Sequence, residues 1–200
     1  MTSSLKVLVV LGSMREGRMA DRVSKFIQNK VKQAGHSPTV LDPEALPNEG
    51  TVVCPLHFHR DPSKIPQWMT DTNEIIKGSD CVIVVTPEYN CAPPPALLAV
   101  FNNFPPASFR HKPVSIVCYS IGQFGGLRAA ALVLPFFNEL GLVPLPKSVV
   151  IPNVPQKLSE DGTCLEERVS VSADALVREM TWYANALNAY AATVPPPPKQ

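Results

Sequence analysis

The sequence has little net charge and few aromatic residues. Its 200 residues include 18 Lys and Arg against 17 Asp and Glu, which leaves a net charge of +1, and aromatic residues make up 7%. Nucleic-acid binding depends on a surplus of Lys and Arg to neutralise phosphates, so this composition does not favour a nucleic-acid partner. The apolar runs are interrupted by prolines and are shorter than the roughly 18 residues that a membrane helix needs. We therefore expect neither a nucleic-acid partner nor a membrane segment.

The chain has five cysteine residues. The number is odd, and Cys81 and Cys118 lie in apolar runs typical of strands, which favours reduced thiols over a disulfide framework. The first residues offer only a short apolar run after Lys6, without the small-residue pattern of a signal-peptide cleavage site. A hydrophobic fraction of 45% is enough for a folded core. We expect a cytoplasmic globular protein.

Apolar runs typical of buried strands alternate along the chain with segments of helical periodicity. The pattern predicts strands at residues 6–11, 37–41, 80–86, 112–119 and 142–151, and helices at 19–34, 66–77, 126–140 and 173–190. Such alternation indicates a parallel sheet with helices on both faces, because each parallel crossover needs a long return path. We predict one α/β domain over residues 1–194 and a disordered proline-rich tail at 195–200. The connection at 42–65 is unusually long and its role stays open.

Three predicted loops follow the carboxyl ends of strands, where open parallel sheets bind ligands. The first loop contains Gly12, Ser13, Arg15 and Arg18 and precedes a helix, a combination suited to an anion. It has neither the Gly-x-Gly-x-x-Gly spacing of a dinucleotide turn nor the Gly-Lys-Ser/Thr ending of a nucleoside triphosphatase loop. The loop therefore favours a single phosphate, the alternative being a solvated arginine-rich turn.

The other two loops favour a flat, polar-edged ligand. The second loop, residues 86–95, joins a rigid proline start to the ring of Tyr89 and the amide of Asn90, which suit a planar heterocycle. The third, residues 119–128, has three glycines, so its backbone can approach a ligand closely. An ordinary strand-to-helix turn is an equally good interpretation of those glycines. Together the loops describe a site with a phosphate at one end and a planar ring at the other.

The three loops carry a resemblance to a known family in segments 12–18 (GSMREGR), 86–90 (TPEYN) and 120–129 (SIGQFGGLRA). Through these segments the chain resembles the NAD(P)H-dependent FMN reductase family of flavodoxin-like folds. The similarity continues to residue 151, and the Pro-Glu-Tyr-Asn element is its most specific part. The resemblance implies a flavodoxin-like α/β/α sandwich with five parallel strands in the order 2-1-3-4-5. It also implies FMN as cofactor, NADPH or NADH as hydride donor, and a homodimer or homotetramer. The expected partners are small-molecule electron acceptors, namely FMN, quinones, azo compounds or metal oxyanions.

The resemblance assigns FMN-binding roles to residues of all three loops. These are, loop by loop, Gly12, Ser13, Arg15 and Arg18; Pro87, Glu88, Tyr89 and Asn90; and Ser120, Gly122, Gly125 and Gly126. Ser13, Arg15 and Arg18 of the first loop would hold the phosphate. The second would line the ribityl chain and the ring, largely through backbone groups, and the third would wrap the ring's other polar edge. No metal and no acid, base or nucleophile is expected, because the flavin carries the bond chemistry.

One predicted helix departs from the family pattern. Leu98, Ala99 and Asn102 stand where members of the family have Lys, Asn and Asp. In the family this helix helps to form the subunit interface beside the flavin. The departure motivates a second hypothesis, an FMN-binding electron carrier or a non-catalytic interaction module.

Two further constellations indicate different chemistry. Residues 118–122 nearly match the Gly-x-Ser-x-Gly elbow of α/β-hydrolases, which would make Ser120 a nucleophile. All four histidines precede Ser120, however, and that fold needs its histidine after the serine. Cys54, His57 and His59 would supply three zinc ligands but lack a fourth. We expect these histidines to pack or hydrogen-bond near a cleft.

Overall fold

A computed structural model describes residues 4–47 and 52–197 and contains one five-stranded sheet. Its strands are β1 (Lys6–Leu11), β2 (Ser37–Leu41), β3 (Cys81–Pro87), β4 (Pro113–Tyr119) and β5 (Val143–Ile151). All neighbours pair in parallel, in the order β2-β1-β3-β4-β5. The predicted flavodoxin-like strand order is thereby confirmed, and the predicted strand bounds are correct to within one residue.

Helices cover both faces of this sheet. They are α1 (Ala20–Gln33), α2 (Gln67–Gly78), α3 (Pro95–Asn102), α4 (Pro106–Phe109), α5 (Leu127–Leu132), α6 (Leu134–Glu139), α7 (Val154–Lys157) and α8 (Glu167–Ala191). Strand β3 is completely buried because its successive side chains alternate between two cores. Ile83 and Val85 pack in the cluster under α1 and α8, whereas Val82 and Val84 pack in the cluster under α2 to α6. Burial on both faces explains the unbroken apolar run in the sequence.

Two helices differ from their predicted extents. The predicted helix at 126–140 is two short helices, α5 and α6, which meet at Val133. Pro135 in the first turn of α6 has no backbone N–H to continue an α-helical ladder from α5, so the chain restarts there. Helix α8 begins at Glu167, earlier than predicted, because its first residues make few of the buried apolar contacts that a periodicity search detects.

The long connection after β2 contains three short 3-10 turns, Pro43–Ala45, Leu56–Phe58 and Pro62–Lys64. Asp42 and Asp61 cap two of them by accepting backbone N–H groups two residues later. Residues 48–51 of this connection lie outside the described part of the chain, and so do residues 198–200 of the predicted tail. Disorder of that tail stays a prediction.

All five cysteines are free thiols. Burial raises the pKa of both Cys81 and Cys118 to about 12, so these thiols stay protonated at neutral pH. Among the described residues, no helix is both long and apolar enough to cross a membrane.

Candidate active site

Three loops meet at the carboxyl edge of the sheet, as predicted, because β1, β3 and β4 are adjacent parallel strands. Between the loops lies a cleft of about 390 Å³ lined by residues 15–19, 87–90 and 119–121. A larger cavity of about 1010 Å³ lies at the opposite edge, around residues 77–80, 110–112 and the end of α8. None of the predicted site residues lines that larger cavity.

Seven of the twelve predicted site residues line the cleft. They are Arg15, Arg18, Pro87, Glu88, Tyr89, Asn90 and Ser120. The other five, Gly12, Ser13, Gly122, Gly125 and Gly126, do not line it. The cleft wall also includes Tyr119 and Ile121, which the sequence patterns did not single out.

A hydrogen-bond network joins the first loop to the second. Ser13 is fully buried, and its Oγ lies 2.5 Å from the hydroxyl of Tyr89. The backbone N–H of Arg15 donates to the same Oγ at 3.3 Å. The Arg15 guanidinium stacks over Tyr89, with 3.5 Å between its central carbon and the ring centroid. No carboxylate among the described residues pairs with exposed Arg15, so its charge is available to an anion in the cleft.

Arg18 is placed differently from Arg15. Its side chain is only 7% exposed and lies among the carboxylates of Asp21, Asp42 and Glu44. Its Nη1 donates to the Ser13 carbonyl at 2.6 Å and to Asp42 at 2.7 Å, and its Nη2 donates to Asp42 at 2.5 Å. The remaining N–H groups donate to Asp21. The hydrogen bond to Asp42 is the main reason that the Arg18 pKa is raised.

These contacts do not support the expectation that Arg18 binds a phosphate. Arginine has five N–H donors, and in Arg18 all five are engaged with other groups of the described chain. Arg18 instead fastens the first loop to the start of α1 and to the turn after β2. This role left no local signal in the sequence, because Asp42 becomes a neighbour only through the pairing of β1 with β2.

The start of α1 faces the same cleft. Met19 precedes the helix and lines the cleft, and no side chain among the described residues caps this end. The first N–H groups of a helix have no partners within the helix and carry a partial positive charge. An uncapped helix start beside the free Arg15 suits an anionic group.

The second loop closes as a tight hairpin turn. Tyr89 and Ala92 exchange two backbone hydrogen bonds of 3.0 Å, and the residues between them, Asn90 and Cys91, have φ values of +51° and +63°. Positive φ at both central positions defines a type I′ turn, which favours Asn followed by Gly. The sequence patterns missed this hairpin because Cys91 occupies the usual glycine position. The turn leaves the Asn90 side chain exposed at the cleft.

Glu88 connects the second loop to the third. Its carboxylate, 6% exposed, accepts the backbone N–H of Arg128 at 3.0 Å and that of Ala129 at 3.4 Å. It also accepts the Arg128 Nε–H at 2.6 Å. Burial by itself raises the Glu88 pKa, but these hydrogen bonds outweigh burial and the net pKa is lowered. The side chain of Glu88 thus caps α5 as an ionised carboxylate.

The third loop is held closed by the Ser120 side chain and by two tightly packed glycines. The Ser120 hydroxyl donates to the Gly122 carbonyl at 2.7 Å and accepts the Gly125 N–H at 2.9 Å, so it is engaged within the loop. A Cβ on Gly126, which has a φ of +82°, would lie 2.9 Å from the carbonyl oxygen of Tyr119. A Cβ on Gly125 would lie 2.5 Å from Val150 Cγ1. Both glycines therefore serve close packing on β4 and β5.

The remaining two predicted glycines differ from each other. A Cβ on Gly12 would lie 3.1 Å from Oγ1 of Thr86, so the end of β1 packs tightly on β3. A Cβ on Gly122 would meet no atom of the described residues within 4 Å. Of the third loop's glycines, Gly122 alone has open space around its backbone, so it fits the interpretation of a backbone that approaches a ligand. Gly125 and Gly126 fit the other interpretation, an ordinary strand-to-helix turn.

The histidines of the long connection lie elsewhere. His59 and Cys54 line a separate small cavity of about 230 Å³, and the ring of His57 contacts that of Phe58 at an interplanar angle of 37°, with 4.5 Å between centroids. The described residues contain no group of three or more His, Cys, Asp or Glu side chains placed to hold a metal ion.

Comparison with known proteins gives a consistent result. The sequence model of a family described as NADPH-dependent FMN reductase matches residues 5–156. Over 138 residues the chain is 27% identical to the NADH:(hydroxy)cinnamate reductase subunit CrdA of Vibrio ruber, covering 66% of this chain and 68% of that subunit. Over 133 residues it is 29% identical to a quinone reductase of Escherichia coli K12, covering 64% of this chain and 66% of that enzyme. The matches thus span about two thirds of these relatives.

A solved structure shares the fold at lower identity. FerB, a flavoenzyme NAD(P)H:(acceptor) oxidoreductase from Paracoccus denitrificans, superposes with a TM-score of 0.72 at 20% identity. The superposition covers 91% of this chain and 98% of FerB. This likeness supports the architecture and strand order described above.

Proposed function

The chain belongs to the NADPH-dependent FMN reductase family and is thus an FMN-dependent oxidoreductase, and on this premise we propose that it reduces quinones with electrons from NADPH or NADH. When bound, FMN supplies the ability to take up a hydride and to pass two electrons to an acceptor. FMN, azo compounds and metal oxyanions are further proposed acceptors. The observation that carries the proposal is a cleft in which an unpaired arginine lies beside an uncapped helix start.

The residues of the cleft fit the parts of FMN. Arg15 and the start of α1 supply positive charge and donors for a phosphate, and the buried Ser13 holds Tyr89 and the Arg15 backbone in place beside them. Backbone groups of residues 87–90 and the exposed amide of Asn90 suit the ribityl chain and the polar ring edges. Ile121, also on the cleft wall, offers an apolar surface for a flat ring. A volume near 390 Å³ is within the range of about 300 to 1,000 Å³ usual for cofactor sites.

The protein's contribution is to hold these groups in place before the ligand arrives. Arg18 fixes the first loop through Asp42, and Glu88 fixes the second loop to the start of α5. Ser120 fixes the third loop internally. Groups held in this way need no reordering on binding, which lowers the entropic cost of placing the ligand.

Titration and turnover measurements test the proposal directly. Purified protein, stripped of bound ligand, is titrated with FMN, and oxidation of NADPH and of NADH is followed with a panel of quinones. We expect FMN to bind, and the Arg15→Gln variant to bind it about tenfold more weakly. A wild-type protein without affinity for FMN would contradict the proposal. Bound flavin that neither NADPH nor NADH reduces would favour the electron-carrier hypothesis instead.

The assembly and the compartment stay predictions. In α3, Leu97 and Phe101 are buried in the core of the chain itself, whereas Asn102 is exposed. We propose a homodimer or homotetramer, and light scattering on the purified protein measures which one forms. We also propose a cytoplasmic location, supported by five free thiols.

A further inference from the structure

The hydroxyl of Tyr119 is a buried polar group without a hydrogen-bond partner among the described residues. Tyr119 is the last residue of β4, is 3% exposed, and forms part of the cleft wall. Buried hydroxyl groups in folded proteins are nearly always hydrogen-bonded, since leaving one unpaired is unfavourable. A buried unpaired hydroxyl in the wall of a binding cleft therefore points to a partner that a ligand supplies.

The surroundings of Tyr119 indicate what that partner is. Tyr119 lines the same cleft as Arg18 and Met19, the residues that lead into the uncapped end of α1. Arg18 and Asp21, both at this helix start, are close enough to act on it electrostatically. Burial raises the pKa of Tyr119, so the group is an O–H donor at physiological pH.

A donor in this position needs an acceptor. Arg18 cannot serve as one, because a guanidinium carries only N–H donors, and its five are engaged with other groups. The Asp21 carboxylate at this helix start is engaged by Arg18, whereas the Arg15 guanidinium and the first N–H groups of α1 favour an anion. A phosphate monoester offers several strong acceptor oxygens and satisfies all these donors together.

We propose that the Tyr119 hydroxyl donates a hydrogen bond to the phosphate of the ligand in this cleft and so contributes to selection of phosphorylated over unphosphorylated flavin. The proposal rests on the proposed function for the identity of that ligand as FMN. It makes Tyr119 a residue for cofactor selection, in addition to the residues that the family resemblance assigned.

The Tyr119→Phe variant separates this role from a structural one. Phenylalanine keeps the ring in the core and removes only the hydroxyl, so the ligand-free variant is expected to melt at the same temperature as the wild type or higher. Affinity for FMN is expected to fall about tenfold or more, because hydrogen bonds to charged acceptors are the stronger ones. Affinity for riboflavin, which lacks the phosphate, is expected to be unchanged. The Tyr183→Phe variant on α8 is the control, and it should match the wild type with both flavins.

The experiment titrates ligand-free wild type and both variants with FMN and with riboflavin, and measures melting temperatures with and without inorganic phosphate. We expect phosphate to raise the melting temperature of the wild type more than that of Tyr119→Phe. Equal FMN affinity in wild type and Tyr119→Phe, or an equal loss for riboflavin, would overturn the inference. If the wild type bound no flavin but phosphate still stabilised it in a Tyr119-dependent way, the proposed function would fail while the phosphate contact would stand.

Discussion

Arg15 and Arg18 lie three residues apart in one loop, yet their surroundings predict opposite consequences when each is replaced by Gln. Arg18 is nearly inaccessible and its five donors are all engaged, mainly with Asp42. Arg15 is exposed and stacks on Tyr89 without a carboxylate partner among the described residues. We expect Arg18→Gln mainly to destabilise the ligand-free protein and Arg15→Gln mainly to weaken ligand binding.

The magnitude follows from the burial of the partners. Breaking a buried ion pair costs about 3 to 5 kcal/mol. Asp42 is 26% exposed and the other two carboxylates around Arg18 are more than half exposed, so water compensates part of the loss. We therefore expect Arg18→Gln to lower the free energy of unfolding by about 2 to 3 kcal/mol, or about 5 to 10 °C in melting temperature for a chain of this size. Arg15→Gln should lower the free energy of unfolding by at most about 1 kcal/mol, because its exposed stacking on Tyr89 contributes no more than that.

Thermal unfolding of the ligand-free proteins and FMN titration at low and high salt measure the two effects separately. Arg15→Gln should weaken FMN binding about tenfold and reduce its dependence on salt, because a free charge is lost from the cleft. Asp42→Asn is the matched control for Arg18→Gln, because it breaks the same pair from the other side, and it should also lower the melting temperature. The reasoning is refuted if Arg18→Gln melts like the wild type and loses FMN affinity and salt dependence as Arg15→Gln does.

The other loops give three further expected outcomes. Gly126→Ala should lower the free energy of unfolding by about 2 kcal/mol or more, because it adds left-handed backbone strain and a Cβ 2.9 Å from the Tyr119 carbonyl oxygen. The control Gly122→Ala should change the free energy of unfolding by less than about 0.5 kcal/mol, and denaturant titrations measure both variants. Cys91→Gly should stabilise the protein by about 0.5 to 1 kcal/mol in the same assay, since it relieves a φ of +63°; a decrease would show that the thiol side chain contributes to packing. The Glu88 carboxylate has a pKa below its ordinary 4.5, so its stabilisation is present above pH 4.5 and is lost as the pH falls toward the lowered pKa. Unfolding curves of wild type and Glu88→Gln should differ at neutral pH and converge in acid, and a constant difference would contradict this assignment.

Much of the fold was predictable because its signals are local. The strand β3 shows as an uninterrupted apolar run, which is what burial on both faces requires. The split between α5 and α6 at Val133 was missed, although Pro135 signals it, because apolar periodicity continues across the break. The early start of α8 was missed because exposed helical turns carry little periodicity.

The candidate site was predictable at the level of loops and less so at the level of side chains. The three loops had to meet, because carboxyl ends of neighbouring parallel strands lie at one edge. Which side chains remain free for a ligand depends on partners distant in sequence. Glu88 is engaged by Arg128, forty positions away, and no local pattern indicates that contact.

The order of apolar and polar residues by itself determined the strands, the helices between them and the edge of the sheet that carries the site. It could do so because the burial of one face of a strand or helix sets a periodicity within that segment alone. Tertiary structure alone decided that Arg15 stays available while Arg18 does not. Pairing of Val10 with Leu41 brings Asp42 beside the first loop, and a carboxylate at hydrogen-bond distance engages whichever guanidinium reaches it. Contacts of that kind depend on the packing of whole elements, so they appear only once the chain has folded.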